Sequence, residues 1–367
     1  MTTAASNSGL DLLPELSYQP PRLLRSPHVQ TVLSSRIVKN LGKHKAAADI
    51  PGTETLILPA SLTNGPERLL ACVDRSPIDA PLMILIHGWL GAADSPYMAR
   101  SAAAFQDAGY RVARLLLRDH GGSAHLNEDM FHSGRIDEVV AACNELCARF
   151  GAHGAGLMGY SLGGNFTLRA LAHPQLSTAL AAGLAVCPVI DPAPAAVQLD
   201  AGWAGYSWWF VKKWHRAMRE KELAFPARYR FSDPQQSLFA ERSVVRLTER
   251  FVEDHTPYAS ADEYYQSYTI TDATLNEIAR PTMILAAVDD PVVAVEPIQL
   301  LTPPPAVGIR VENYGGHCAF LDSYRLSSFV SPFSTAFFNR EIRSDRKSAP
   351  RASHSSTNAA DSLLSAP

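Results

Sequence analysis

The stretch that most constrains the fold is residues 159–164, which read Gly-Tyr-Ser-Leu-Gly-Gly. It follows a short apolar run at 156–158 and opens into residues 165–171, whose apolar side chains recur at helical spacing. The pattern therefore predicts a strand that turns sharply into a helix at Ser161. Glycines two positions before and after this serine carry no side chain, so the strand and the helix can approach closely.

The Gly-x-Ser-x-Gly spacing is typical of a nucleophile elbow. The hydroxyl of Ser161 would project above a sheet, at the N-terminus of the following helix. There the backbone N–H of Leu162 can donate to a developing oxyanion, and the helix dipole favours negative charge. A flexible turn can carry the same pentapeptide, but the strand before it and the helix after it favour the catalytic interpretation.

Composition narrows the class of protein further. With 367 residues, of which 46% are hydrophobic and 19% charged, the chain predicts one large globular α/β domain with an insertion. A net charge of −3 and the lack of a basic cluster interleaved with aromatics argue against a nucleic-acid partner. No run of about 18 apolar residues and no signal sequence are present, so we expect a cytoplasmic protein.

The five cysteines favour reduced, mostly buried thiols, because their number is odd and no C-x-x-C pair occurs. Cys143 and Cys147 lie one helical turn apart, but no matching Cys or His pair is near them in the sequence. We therefore expect no metal site and no organic cofactor.

Alternating β and helical patterns predict a mostly parallel central sheet with helices on both faces and a helical insertion after the sixth strand. Residues 1–50 form an N-terminal arm, 51–343 the main domain and 344–367 a disordered tail rich in Ser, Ala and Arg. The insertion spans 191–275. The predicted strands are 55–58, 69–73, 81–86, 110–117, 156–158, 184–190, 282–287 and 308–311.

The insertion carries an aromatic-rich segment, 202–216, that becomes basic toward its end. One interpretation is a cap whose aromatic side chains face an acyl substrate or a lipid surface. The other is ordinary core packing, which an aromatic stripe more often indicates. Association with a membrane surface is thus a weakly supported possibility.

A glycine-containing loop follows the third predicted strand, with the sequence His87-Gly88-Trp89. Such a loop can direct a backbone N–H across the top of the sheet toward Ser161. We expect the amide of Trp89 to supply this second half of an oxyanion hole. A tight turn without any catalytic role would need the same glycine.

An acid and a histidine follow the last two predicted strands. Asp289 and Asp290 come after one, and His317 comes after the other, preceded by two glycines. The order serine, acid, histidine is that of the α/β-hydrolase triad, in which histidine takes the serine proton and a carboxylate orients the imidazole. We favour Asp290, because an apolar pair follows it, but the sequence does not exclude Asp289. Asp119 and His120, being adjacent, are expected to shape a loop at the rim of the site.

Several stretches together resemble the YheT-like branch of the α/β-hydrolase superfamily, which includes bacterial esterases, abhydrolase-domain lipases and yeast ethyl-ester-forming acyltransferases. The resemblance covers about residues 20 to 340, and it implies Ser161 as nucleophile, Asp290 as acid and His317 as base. Two features depart from the family pattern, residues 118–122 and the Trp-rich insertion, and both bear on the choice of substrate. The matching stretches are 27–31, 87–88, 95–97, 131–134, 159–164, 262–265, 289–291 and 315–317.

The expected activity is hydrolysis of carboxylic esters with short- to medium-chain acyl groups or lipid-like substrates, through an acyl-enzyme on Ser161. An acyltransferase, in which an alcohol replaces water, is the nearest alternative. A non-catalytic binding protein on the same scaffold is a second alternative. The sequence does not indicate the oligomeric state.

Overall fold

The structure, a computed structural model, covers most of the chain. The predicted tail at 344–367 lies outside the described residues, and so does most of the predicted arm at 1–50. The described residues are Leu10, 12–34, 52–233 and 237–343.

An eight-stranded sheet forms the centre of the molecule, in the order β1-β2-β4-β3-β5-β6-β7-β8. Strand β2 pairs antiparallel with β1 and with β4, and all other neighbours pair in parallel. The predicted fold class is confirmed. The strands are β1 (Glu54–Pro59), β2 (Arg68–Val73), β3 (Leu82–Ile86), β4 (Arg111–Leu116), β5 (Ala155–Tyr160), β6 (Leu180–Val186), β7 (Thr282–Ala287) and β8 (Val307–Glu312).

Helices cover both faces of this sheet. Helices α2 and α11 pack on one face, and α3 and α4 pack on the other. The helices are α1 (Pro27–Ser34), α2 (Pro96–Asp107), α3 (Ile136–Phe150), α4 (Leu162–Leu171), α5 (Pro192–Ala201), α6 (Ala204–Ala224), α7 (Val244–His255), α8 (Ala261–Gln266), α9 (Asp272–Asn276), α10 (Glu296–Gln299) and α11 (Val330–Arg343).

The position of β3 between two layers of helices explains why its sequence is continuously apolar. Ile84 and Ile86 point to the face covered by α3 and α4, whereas Met83 and Leu85 point to the face covered by α2 and α11. Every residue of the strand is buried. A strand covered on both faces gains from apolar residues at every position, so the alternation seen in half-exposed strands disappears.

The sixth strand lies further toward the N-terminus than predicted. The sequence places it at 184–190, but β6 begins at Leu180 and ends at Val186. Cys187 has φ of 44°, outside the β region, and this ends the strand. The side chain of Asp191 then caps α5 by accepting from the amide of Ala193. The apolar residues at 187–190 therefore belong to a buried loop.

Helices α5 to α9 lie between β6 and β7, and we call residues 191–281 the cap segment. Its apolar side chains, including Trp214, Leu247 and Phe251, are continuous with the core above one face of the sheet. In the part of the chain that the structure describes, no helix combines the length and apolar character that crossing a membrane requires.

A buried ion pair fastens the cap segment to the sheet. Lys221, near the end of α6, is fully buried, and its Nζ lies 2.9 Å from a carboxylate oxygen of Asp119 in the loop after β4. The same ammonium donates to the carbonyls of Asn127 and Asp129. Burial raises the pKa of Asp119 and lowers the pKa of Lys221, while the attraction between them opposes both shifts. The predicted loop role of Asp119 thus includes holding α6.

Replacing Lys221 with Met should lower the free energy of unfolding by about 3 kcal/mol or more, because it leaves the Asp119 carboxylate buried without its cation. Adding Asp119→Asn should recover part of this loss. Urea unfolding of the single and double variants measures both effects. Lys212→Met, which removes an exposed lysine from the same helix, should cost less than about 1 kcal/mol. Equal losses in the two lysine variants would contradict the role of the ion pair.

Candidate active site

Ser161 lies at a strained turn between β5 and α4. Its backbone has φ of 54° and ψ of −119°, which is rare for a residue with a side chain. The turn is possible because Gly159 and Gly163 touch: a Cβ on Gly159 would lie 2.0 Å from the carbonyl oxygen of Gly163. A Cβ on Gly163 would lie 2.4 Å from the carbonyl oxygen of Ile86 in β3. Both glycines are therefore required by backbone contacts.

The structure brings Ser161, His317 and Asp290 into one hydrogen-bonded chain. Ser161 Oγ lies 3.0 Å from His317 Nε2, and His317 Nδ1 lies 2.8 Å from Asp290 Oδ2. A carboxylate only accepts, so Nδ1 carries a proton and donates a hydrogen bond to Asp290, and in the neutral imidazole Nε2 is left to accept from the serine hydroxyl. The other carboxylate oxygen, Asp290 Oδ1, accepts from the amides of Val292 and Val293. These amides fix the carboxylate in place.

Asp289 contacts a different part of the same loop. Its Oδ1 accepts from the amide of Gly316 at 2.9 Å, beside His317 but not on the imidazole. Burial raises the pKa of Asp289 to about 6, and the neighbouring charge of Asp290 adds to this, whereas the Gly316 hydrogen bond opposes it. Of the two acids that the sequence leaves open, Asp290 is the one that the structure places against the imidazole.

The N-terminal helix α1 also positions the histidine. The amide of His317 donates to Thr31 Oγ1 at 2.9 Å, and Gln30 Oε1 accepts from the amide of Leu321 at 2.7 Å. Gly316 has φ of 53°, and a Cβ there would lie 2.7 Å from the carbonyl oxygen of Pro27. The sequence analysis assigned these residues no role. The available signal was the resemblance at 27–31, which includes both Gln30 and Thr31.

The charge on His317 depends on opposing effects. Burial alone would lower the pKa of its imidazole, but the carboxylate of Asp290 and the neighbouring Cys318 together outweigh burial, and the pKa is raised well above its ordinary value. Asp290, the larger of the two raising causes, thus favours the imidazolium form of His317.

The loop after β3 presents a free amide near this chain. The amides on either side of Trp89 are both occupied: Gly88 donates to Tyr97 Oη, and Leu90 donates to His120 Nε2, each at 3.0 Å. Within the part of the chain that the structure describes, the Trp89 N–H has no hydrogen-bond acceptor. His120 therefore holds the loop, and burial lowers its pKa to about 4.

The Ser161 turn lies beside this loop and at a helix start. A Cβ on Gly88 would lie 3.2 Å from Ser161 Cβ, so the loop and the serine are in contact. Leu162 is the first residue of α4, and its N–H belongs to the first turn, where no carbonyl within the helix can accept. The two amides expected at an oxyanion hole, those of Leu162 and Trp89, thus belong to the two elements that meet at Ser161.

A cavity of about 770 Å³, including its open mouth, adjoins Ser161. It runs between the sheet and the cap segment, and no Asp, Glu, Lys or Arg lines it among the residues that the structure describes. An apolar wall of this kind suits a hydrocarbon chain or ring. The aromatic residues that line it are Trp89, Phe131, Phe210, Trp214, Phe251, Tyr264, Tyr265 and Tyr268.

The aromatic segment of the cap has two different surfaces. Phe210 stacks on Trp89 at 5.5 Å between ring centroids, and Trp214 meets Trp89 edge-on at 5.0 Å. These two cap residues pack against Trp89 and also line the cavity. The two interpretations of the segment, core packing and a cap that faces the substrate, are therefore compatible. Trp203 and Trp208 instead face solvent, with 57% and 58% of their surface exposed.

A possible metal-ligand group lies next to the hydrogen-bonded chain. The ligand atoms of Cys187, His317 and Cys318 lie within 4.8 Å of one another. Both ring nitrogens of His317 already contact Ser161 or Asp290. A metal ion here would have to displace one of these contacts, so the geometry fits the hydrogen-bonded chain better than a resident ion.

Comparison with known proteins agrees with this description. Residues 81–324 match the alpha/beta hydrolase fold family. The "Putative esterase YheT" of Escherichia coli (strain K12) is 26% identical over 246 residues, which cover 66% of this chain and 71% of that protein. The chain therefore belongs to the α/β-hydrolase fold family, as a YheT-like member.

Solved structures show the same fold at low identity. The esterase Pf2001 of Pyrococcus furiosus in space group P21 superposes with a TM-score of 0.52 at 15% identity, over 88% of this chain and 100% of that one. The same esterase in space group P212121 gives a TM-score of 0.55 at 14% identity, over 82% of this chain and 95% of that one. These matches support the fold alone.

Replacing Asp290 with Asn should lower the pKa of His317 relative to the wild type, because burial is then opposed by Cys318 alone. An NMR titration of the His317 imidazole measures this pKa. Asp289→Asn is the matched control, since Asp289 does not contact the ring, and it should leave the pKa close to that of the wild type. A pKa in Asp290→Asn that equals the wild-type value, or an equal fall in both variants, would contradict the assignment.

Proposed function

We propose that this protein hydrolyses carboxylic esters through an acyl-enzyme on Ser161. The observation that carries the proposal is the hydrogen-bonded chain of Ser161, His317 and Asp290 at one end of an apolar cavity. A serine hydroxyl is a weak nucleophile near neutral pH, and a histidine in hydrogen-bond contact can accept its proton as the bond to the acyl carbon forms. The esterase names of the relative and of the structural neighbour agree with this class of reaction.

In the first half of the proposed reaction, Ser161 Oγ attacks the ester carbonyl carbon while its proton passes to His317 Nε2. The carbonyl oxygen becomes an oxyanion, which the amides of Leu162 and Trp89 are positioned to bind. The tetrahedral intermediate then breaks its bond to the alcohol oxygen, and His317 returns the proton to that leaving group. An alcohol departs, and the acyl group stays on Ser161.

In the second half, water takes the place of the alcohol. His317 removes a proton from the water as its oxygen attacks the acyl carbon, and the proton later returns to Ser161 Oγ when the acid leaves. Asp290 keeps Nδ1 protonated and stabilises the imidazolium in both halves. Asp289 and Thr31 act on the loop backbone, so they are positioning residues.

Wild-type protein should react with a fluorophosphonate probe, and Ser161→Ala and His317→Ala should both lose labelling, because one lacks the nucleophile and the other its base. We expect ester hydrolysis to fall by about a thousandfold or more in each variant. Gel fluorescence and p-nitrophenyl ester hydrolysis measure the two effects, with circular dichroism as a test of folding. A folded wild type that resists the probe, or a Ser161→Ala variant that keeps full hydrolysis, would refute the proposal.

The apolar cavity predicts a preference for longer acyl chains up to the length that fills it. Each added methylene should raise kcat/KM by about two- to fourfold, since burying one contributes about 0.8 kcal/mol. Leu199 lines the cavity, and Leu199→Trp should shift the optimum to shorter p-nitrophenyl esters. Leu223→Trp is the control, because Leu223 is 81% exposed. An unchanged optimum in Leu199→Trp would place the acyl chain elsewhere.

A further inference from the structure

A second cavity lies in the cap segment, on the side of α6 that faces away from the apolar cavity. It measures about 980 Å³ including its open mouth. Lys212, His215 and Arg219 line it from α6, at a spacing of three and four residues that puts them on one helical face. Phe210 and Trp214, which line the cavity beside Ser161, lie on the opposite face of the same helix.

The rim of this second cavity carries three positively charged side chains. Lys212, Arg219 and Arg242 are exposed, and none of them pairs with a carboxylate among the residues that the structure describes. Arg219 lies over the ring of Phe239 at 4.6 Å. Arg216, on the same helix, differs from these residues because it forms an ion pair with Glu220 at 2.9 Å.

Asp200, the acid in the cavity wall, already accepts four hydrogen bonds. Asp200 accepts from the hydroxyls of Ser207 and Ser243 at 2.6 and 2.5 Å. It also accepts from the amides of Val244 and Val245, at the start of α7, at 2.8 and 3.0 Å. Its carboxylate is therefore engaged as a helix cap and is not free to pair with the rim cations.

The buried part of the cavity wall holds an unpartnered polar atom. His215 is only 7% exposed, and its Nε2 has no hydrogen-bond partner among the described residues. Its ring packs edge-on against Phe239 at 5.3 Å, which fixes the imidazole in place. Buried polar atoms are nearly always hydrogen-bonded in folded proteins, so one without a partner in a cavity wall points to a missing ligand.

We propose that this cavity binds a phosphate group. The guanidinium groups of Arg219 and Arg242 and the ammonium of Lys212 would contact phosphate oxygens from the rim. His215 Nε2 would accept a hydrogen bond from a protonated phosphate oxygen, because the other ring nitrogen hydrogen-bonds to the backbone of Leu238. Arginine and lysine side chains are the usual donors to phosphate oxygens, and here they come from α6 and from Arg242, two residues before α7. The phosphate can belong to a soluble compound or to a lipid headgroup.

Isothermal titration with inorganic phosphate, at ionic strength held constant with sodium chloride, tests the site. Wild-type protein should bind one phosphate, and the double variant Arg219→Gln/Arg242→Gln should bind it about tenfold more weakly or worse. His215→Leu should also weaken binding. Arg216→Gln removes the same charge from the same helix outside the cavity, and its affinity should stay within about twofold of wild type. Absence of saturable binding, or equal weakening in Arg216→Gln, would overturn the proposal.

Co-sedimentation with vesicles then separates the two sources of phosphate. If the ligand is a headgroup, phosphatidic acid vesicles should retain the wild type, inorganic phosphate should release it, and the double variant should stay in solution. If the ligand is soluble, the titration should show binding while the vesicles retain neither protein. Both results support the site. Vesicle retention that is equal in the wild type and the double variant, together with no phosphate titration, would refute it.

Discussion

The contact between β5 and α4 determines the arrangement of the whole site. The backbones of β5 and α4 are so close that a Cβ on Gly159 would overlap the carbonyl oxygen of Gly163, and a Cβ on Gly163 would overlap the carbonyl oxygen of Ile86 in β3. This approach forces Ser161 into a left-handed conformation and turns its hydroxyl out of the sheet. The first amides of α4 then lie next to the hydroxyl. The position of the Ser161 hydroxyl at the start of α4 therefore depends on these backbone contacts.

The two adjacent acids of the site, Asp289 and Asp290, differ in the hydrogen bonds that their carboxylates accept. Asp290 is buried, and its carboxylate stays compensated because two amides and an imidazole donate to it. The amide of Gly316 donates to one oxygen of Asp289, and among the described residues its second oxygen lacks a partner, which is consistent with its raised pKa. The two adjacent carboxylates thus differ in their hydrogen-bond partners because the chain turns between them, and only Asp290 meets the histidine.

The sequence predicted the fold and the hydrogen-bonded residues because both depend on local patterns. Apolar runs mark buried strands. Ser161 lies in a short motif, and the glycines on either side of it have a steric explanation that can be read from the motif itself. The choice between Asp289 and Asp290 depends on side-chain direction in a turn, which no periodicity describes. The Lys221–Asp119 pair joins residues 102 positions apart, and nothing in the basic end of α6 distinguishes its buried lysine from the exposed ones. Such contacts require the tertiary structure.

The hydrogen bond from the His317 amide to Thr31 joins residues 286 positions apart. Synthesis of the chain makes Thr31 early and His317 late, after all eight strands have been made. The imidazole loop therefore reaches its final position only when the last strand has joined the sheet and α1 has docked beside it. Contacts of such long range form late in folding, because the chain loses the entropy of closing a long loop before the contact can stabilise it. A partly folded chain would thus hold Ser161 without an ordered His317 beside it.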